Sequence, residues 1–246
     1  NNNFGLSANL PGGGNPISLD AIEEVQVVVS PFDVRQTNFI GGGINAIEHH
    51  SESPEALYAH IPGLKVVVPS TPYDAKGLMI SAIESDDPII FMEPKRIYRA
   101  IKQEVPEEKF SIPIGKAKVL SEGTDVTIVA FGAMIREAQK AIAMADKQGI
   151  SVELIDLRTI YPIDKETIIE SVKKTGRIII VAEAPRSFSV GAELMAIANE
   201  DAFLYLEAPP TRVMGFDTIV PLAKGEKYYV ISPERILYEI EKTVNY

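Results

Sequence analysis

Apolar positions in this chain fall into short unbroken runs, and longer stretches with apolar residues every third or fourth place separate them. The first run to read clearly follows Ser53-Pro54-Glu55, a helix start with proline at its first position. A short helix to His60 is expected, broken by Pro62-Gly63, and Leu64 to Val68 then predicts a fully buried strand. Thr71 is the expected cap of a helix over 72–85, with Asp74 in its first turn, and a second strand follows over 88–92. Residues 94–113 read as a linker with a further break at Pro106.

From Gly115 the alternation is regular. Strands are predicted over Val126–Ala130, Val152–Asp156, Arg177–Ala182 and Phe203–Glu207. Helices are predicted over Ala133–Lys147, from an Asp164 cap to Thr175 with Gly176 just past its end, over Val190–Asn199, and after Ser232-Pro233. Met134, Ala138, Ile142 and Ala145 share one face of the first of these, and Ile236, Leu237, Ile240 and Val244 one side of the last. Strands alternating with helices imply an α/β fold with a mostly parallel sheet covered on both faces.

Residues 1–46 have another character. They open NNNFG, carry PGGGNP at 11–16 and hold one strand-like run, Glu24 to Ser30. The glycine run lacks a following Gly-Lys-Ser/Thr and a helix start, so it reads as a loop and not a phosphate cradle.

Composition narrows the function classes. The 246 residues suffice for one large or two medium cores, with 46% hydrophobic and 24% charged residues as in ordinary soluble domains. A formal net charge of −10 argues against a nucleic-acid backbone or an anionic membrane as main partner. The chain has no cysteine, which excludes disulfides and thiolate metal sites. No stretch approaches the length of a spanning helix, and no intact signal peptide is visible.

The three histidines, His49, His50 and His60, all lie in the segment that leads into the first helix and strand. Imidazole is the one side chain that titrates near neutrality unperturbed, so this loop is a place for proton chemistry, with a structural surface role as the competing reading. His60, at the end of the short helix, reads as packed or capping. Asp156, Arg158 and Asp164 could form an acid–base group, but a buried or interface ion pair is the favoured reading. Glu183 follows a strand, and Arg212 is expected on a loop near subunit contacts.

The segments HHSESPEALYAHIPGLKVVVPSTPYDAKGL (49–78), PIIFMEPKRIYRA (88–100), GTDVTIVAFG (123–132), ELIDLRTIYPID (153–164), KKTGRIIIVAEAP (173–185) and LEAPPTRVMGFDTIVP (206–221) run in order. Together they resemble the β subunit of the thiamine-diphosphate-dependent 2-oxo acid dehydrogenases, with the branched-chain type as the nearest form. The resemblance implies a truncated pyrimidine-binding-type α/β domain over 47–93, a linker over 94–114 and a complete transketolase C-terminal-type domain over 115–246. It implies His50 as the active-site histidine, in proton delivery during acyl transfer. It also implies a potassium loop at Ala82, Ser85 and Asp87, although Ser85 stands where an acidic residue is expected and a solvated turn competes. Thiamine diphosphate and magnesium would sit at the interface with an α subunit. A second β subunit would complete a heterotetramer, and a lipoyl acyltransferase core would be the docking partner, all in the cytoplasm. A transketolase-type enzyme is the alternative within thiamine chemistry, which the EPKRIYRA and DLRTIYPID wording disfavours. The family's catalytic glutamate and pyrimidine-walling residues have no counterpart in this chain, so the chain alone is expected to be inactive.

The segment NPISLDAIEEVQVVVSPFDVRQTNFIGGGINA (15–46) resembles instead the plug domain of TonB-dependent outer-membrane receptors. Two abutting resemblances make the chain read as a chimeric junction near Gly41 to Glu48. The corresponding alternative is a transport or interaction fragment.

Overall fold

The computed structural model describes residues 52–221 and 223–246, and Glu52–Tyr246 form one compact unit. The run expected as a strand over Glu24–Ser30, the proposed junction, His49 and His50 lie outside the described residues.

The unit opens with helix α1 (Glu55–Ala59), whose first residue follows Pro54 and which ends at His60 before Gly63 turns with φ 85°. His60 caps the helix C-terminus, as expected, but is exposed and not packed. Strand β1 (Lys65–Val67) follows, then α2 (Pro72–Ile83), two residues shorter than expected, and β2 (Ile89–Phe91). Thr71 caps α2 as foreseen: its Oγ1 accepts from Asp74 N at 3.1 Å and donates to Asp74 Oδ2 at 2.6 Å.

Next come β3 (Lys118–Ser121), β4 (Val126–Ala130), α3 (Met134–Ala145), β5 (Val152–Asp156), β6 (Thr159–Tyr161) and α4 (Lys165–Thr175). The chain finishes with β7 (Ile178–Pro185), α5 (Val190–Asp201), β8 (Thr211–Gly215), α6 (Ala223–Tyr229) and α7 (Pro233–Val244). Asp164 caps α4 and Gly176 follows it in the left-handed conformation, φ 67°, both as the sequence predicts.

Two sheets result. The larger has the order β3-β5-β4-β7-β8, parallel except for β3 at one edge. Strand side chains alternate between its faces. Val126, Ile128, Ile179 and Val181 meet α3 and α7, whereas Val129, Ile178 and Ile180 meet α4 and α5. This is the α/β fold with a mostly parallel, doubly covered sheet. The smaller sheet has the order β2-β1-β6, with β1 parallel to β2 and antiparallel to β6. Strand β1 is buried on both sides, Val66 joining the main core and Val67 packing with Leu78 and Ile112.

Three expectations are corrected. Phe203–Tyr205 form a single 3-10 turn, and the fourth parallel strand is β8. Phe203, Leu204 and Tyr205 are largely exposed (64%, 92% and 51%), and of the apolar run that suggested a strand only Leu206 packs partly against the core. Arg212 accordingly lies within a strand and not on a loop. Strands β3 and β6 and helix α6 were not foreseen: β3 and β6 are short edge strands, and α6, sequence AKGEKYY, has no apolar stripe.

Backbones approach most closely where β3 leads into β4. A Cβ on Gly123 would lie 2.2 Å from Glu153 N, against main chain that cannot yield. Gly123→Ala is therefore expected to cost about 2–3 kcal/mol by overpacking, a fall of roughly 5–10 °C in Tm for a unit of this size. Thermal unfolding by circular dichroism checks this, and an unchanged Tm would show that the β3–β5 contact is not as tight as described.

Candidate functional site

In parallel α/β sheets functional side chains gather at the carboxyl ends of the strands. Here two buried acids with unusual proton affinity lie in that region. The first is Glu55, the opening residue of α1 and 3% exposed. Its Oε1 has no hydrogen-bond partner. A helix N-terminus favours a carboxylate, but α1 has only five residues and desolvation wins. Burial pushes the Glu55 carboxyl up to about 8, opposed in part by a hydrogen bond from its own backbone and aided least by the like charge of Glu183. Glu55 is a neutral acid at pH 7.

The charges around it are matched to other partners. Glu183, near the end of β7, pairs with Arg96 Nη1 at 3.2 Å. Arg96 Nη2 pairs with Glu137 Oε1 at 3.3 Å, in the first turn of α3, and Lys140 Nζ lies 3.0 Å from Glu137 Oε2. The segment after β2 is thus clamped across β7 and α3 by one guanidinium. Its two carboxylate partners leave no cation for Glu55. The row Glu55, Glu183, Arg96, Glu137, Lys140 can hold and exchange a proton at Glu55 while the remaining charges balance.

The second acid is Asp156, at the end of β5 and fully buried. Burial raises its carboxyl to about 7, opposed by a hydrogen bond from Ser70 and aided by the charge of Asp74. Its Oδ1 accepts from Arg158 N at 3.1 Å, and Oδ2 has no partner. Arg158, with φ 56°, turns its guanidinium onto Asp74 in a buried ion pair. The ion-pair reading therefore holds for Arg158, with Asp74 as the partner, and not for Asp156, which takes only the Arg158 backbone N–H. Asp164 stands apart, accepting from Ala117 N at 3.0 Å and Thr167 Oγ1 at 3.0 Å, and those donors help hold its carboxyl below the usual range against its burial.

Of the residues singled out in the sequence, His50 lies outside the described residues. Ala82 lies in the last turn of α2, and Ser85 and Asp87 just after it gather on a side chain not anticipated. Lys65 Nζ is 2.8 Å from Asp87 Oδ2 and 3.4 Å from Ser85 Oγ, and the Ala82 carbonyl accepts from Ser85 N at 3.4 Å. The loop already holds a cation in the Lys65 ammonium, so in this arrangement these residues do not fit a potassium ion. Among the described residues no three His, Cys, Asp or Glu side chains converge to hold a metal. No described helix is long and apolar enough to cross a membrane.

Sequence reading missed Glu55 as more than a helix-opening residue. A signal was present: it sits five residues after His50 at the start of an apolar helix, where the following pattern turns that face inward.

A raised carboxyl pKa has a definite sign in stability. Between about 4.5 and about 8 the folded chain keeps a proton at Glu55 that the unfolded chain has lost, so stability is full below 4.5 and declines as pH rises through 8. Glu55→Gln should remove up to roughly a kcal/mol per pH unit of this slope. Urea unfolding of both chains from pH 5 to 8 measures it, and parallel slopes would show that Glu55 ionises normally.

Comparison with known proteins agrees with this architecture. The transketolase pyrimidine-binding domain matches residues 35–101 and the transketolase C-terminal domain residues 115–236. The first match begins inside the segment that resembled a receptor plug, which overturns that reading for residues 35–46. Among curated proteins, the chain is 60% identical over 202 residues to the pyruvate dehydrogenase E1 component subunit beta of Acholeplasma laidlawii, covering 82% of this chain and 62% of that protein. Its counterparts in Mycoplasma genitalium (51% identity, 82% of this chain, 61% of that protein) and Bacillus subtilis (46%, 88% and 66%) also match. The chain thus spans less than two thirds of the length of these relatives. Among solved structures, the β4 tetramer of a split-gene transketolase superposes with a TM-score of 0.65 at 24% identity, over 78% of this chain and 60% of that one. A Pichia stipitis transketolase superposes at 0.54 with 17% identity, over 77% and 26%. At those identities the structures show the fold alone. With both domains matched in order and long alignments at this identity, the chain carries the transketolase-type pyrimidine-binding and C-terminal domains and is similar over most of its length to the β subunits of pyruvate dehydrogenase.

Proposed function

We propose that this chain is the β-subunit portion of a pyruvate dehydrogenase. The observation that carries the reading is the 60% identity over 202 residues to a protein of that name. Pyruvate takes the place of the branched-chain substrate expected from the sequence, because the relatives above are named for pyruvate. In the whole enzyme pyruvate would lose carbon dioxide, and its two-carbon group would pass to lipoamide as an acetyl group while the lipoamide disulfide is reduced.

Thiamine diphosphate, with magnesium, would supply the decarboxylation chemistry at the interface with an α subunit. In this reading the α subunit would hold the magnesium-diphosphate end of the cofactor, consistent with the lack of a cluster of three His, Cys, Asp or Glu side chains among the described residues. His50 would move a proton during acyl transfer. Glu55, five residues on, would offer a neutral buried acid beside that segment, and Arg96 would hold Glu183 and Glu137 in place around it. Residues 47–93 form the pyrimidine-binding portion in this reading and residues 115–246 the C-terminal domain, which would carry the contacts to a second β subunit and to the acyltransferase core.

The test is reconstitution with a cognate α subunit, thiamine diphosphate and magnesium, read as acetyl transfer to lipoamide. The chain as it stands is expected to bind the α subunit without turning over substrate. Residues 47–246 joined to the N-terminal third of a full-length relative should turn over pyruvate in preference to branched 2-oxo acids. In that hybrid His50→Ala should lower acyl transfer by roughly 10²–10⁴. Failure to bind the α subunit, or a preference for branched substrates, would sink the assignment.

A further inference from the structure

Away from these acids, a cavity of about 410 Å³ opens where β8 meets the start of α7. Arg186, Arg212 and Arg235 line it, with Val213 at its wall and Glu234, Tyr238 and Glu239 around it. Three guanidiniums in one cavity run against the sign of a chain with net charge −10. Among the described residues none of the three is in an ion pair, although Arg96, Arg158 and Arg177 all are.

The three are held in place by neutral groups instead. Arg212 Nη1 donates to the Arg186 carbonyl at 3.0 Å, and Arg186 Nη1 donates to the Arg212 carbonyl at 3.3 Å. Arg235 Nη2 donates to the Met214 carbonyl at 2.8 Å, and its guanidinium lies 4.9 Å from the centre of the Phe216 ring. Arg212 Nε is buried without an acceptor. Carbonyl partners orient a guanidinium without neutralising it.

An arginine cannot relieve crowding by releasing its proton. Burial, then the charge of Arg186, presses the Arg212 pKa down, and Asp217 offsets this only in part. Asp217 itself is committed to Ser187, whose N donates at 2.8 Å and whose Oγ donates at 2.7 Å. What relieves this arrangement is an anion from outside. Forked donors held before binding suit the tetrahedral oxygens of a phosphate, which arginine meets in bidentate fashion. The two glutamates discriminate further: Glu234 accepts from Ser232 and Glu239 pairs with Lys242 at 3.2 Å, and both would repel an acidic polypeptide or nucleic-acid strand. A compact anion can enter between them.

We propose that the cavity between β8 and α7 is a binding site for a small phosphate-bearing anion, gripped by Arg186, Arg212 and Arg235. The site is independent of the 2-oxo acid dehydrogenase reading.

Titration calorimetry on the full chain tests it, using inorganic phosphate and glycerol 3-phosphate against sodium chloride at matched ionic strength. One site of roughly millimolar affinity or tighter is expected for phosphate, with no heat of binding from chloride. Tighter binding of the ester would identify a phosphorylated metabolite, and equal or weaker binding would identify free phosphate; either supports the site. Arg186→Gln and Arg212→Gln should each weaken binding by roughly tenfold, and Glu234→Gln should not weaken it. Arg212 is part of β8 and its replacement could disturb folding, so the exposed Arg186 decides, with circular dichroism confirming that the variant is folded. Phosphate behaving as chloride does, binding untouched by Arg186→Gln, or preferential binding of an oligo-glutamate peptide would overturn the proposal.

Discussion

The ion pair between Arg158 and Asp74 is the constraint on which the described structure rests. It joins the start of α2 to the turn between β5 and β6, and so the smaller sheet to the larger. Arg158 adopts a left-handed backbone, φ 56°, which a bulky residue takes only when its surroundings enforce it. The enforcement is visible: its N donates to Asp156, its carbonyl accepts from Val68 N at 2.8 Å, and its side chain ends on Asp74. Ser70 adds a further stitch, accepting from Gly132 N at 2.9 Å at the end of β4. Buried ion pairs contribute little net stability, yet removing one partner strands a charge at a cost of about 3–5 kcal/mol. The pair therefore acts mainly as a specifier of geometry.

The same region explains why two acids keep their protons. A carboxylate ionises in the interior only when a cation or several donors face it. Asp74 has Arg158, Glu137 has Arg96 and Lys140, and Glu183 has Arg96. Every nearby cation is thereby engaged, and Glu55 and Asp156 each retain one oxygen without a partner. The arrangement separates acids that fix structure by being charged from acids that are neutral at pH 7 or close to neutrality. Glu55 and Asp156 are placed to exchange a proton near neutral pH.

Much of this architecture was legible in the residues, and the exceptions share a cause. Buried strands such as β1 (Lys65–Val67), expected over Leu64–Val68, and β4 (Val126–Ala130) declare themselves because both faces are covered and the run is continuous. Caps at Thr71, Asp164 and Ser232 were readable because they depend on neighbours within three residues. Edge strands β3 and β6 were not, since they are defined by their pairing partners and not by their own pattern. The ammonium of Lys65 between Ser85 and Asp87 was hidden for the same reason: twenty residues separate it from the loop it fills. Glu55 looked like an ordinary first-turn acid because sequence shows a residue's type and not the absence of a counter-charge.

That dependence on distant partners bears on how the two matched domains cooperate. Strand β1 belongs to the pyrimidine-binding match, yet one of its neighbours is β6, which belongs to the C-terminal match. Helix α1, which begins with Glu55, packs on both strands. The placement of Glu55 is therefore set as much by the ELIDLRTIYPID segment as by the residues around it. A change in the turn at Arg158 would move β6, and with it the surface on which α1 rests. Through that connection a residue that touches neither Glu55 nor Glu183 helps determine how deeply Glu55 is buried, and so how firmly it keeps its proton.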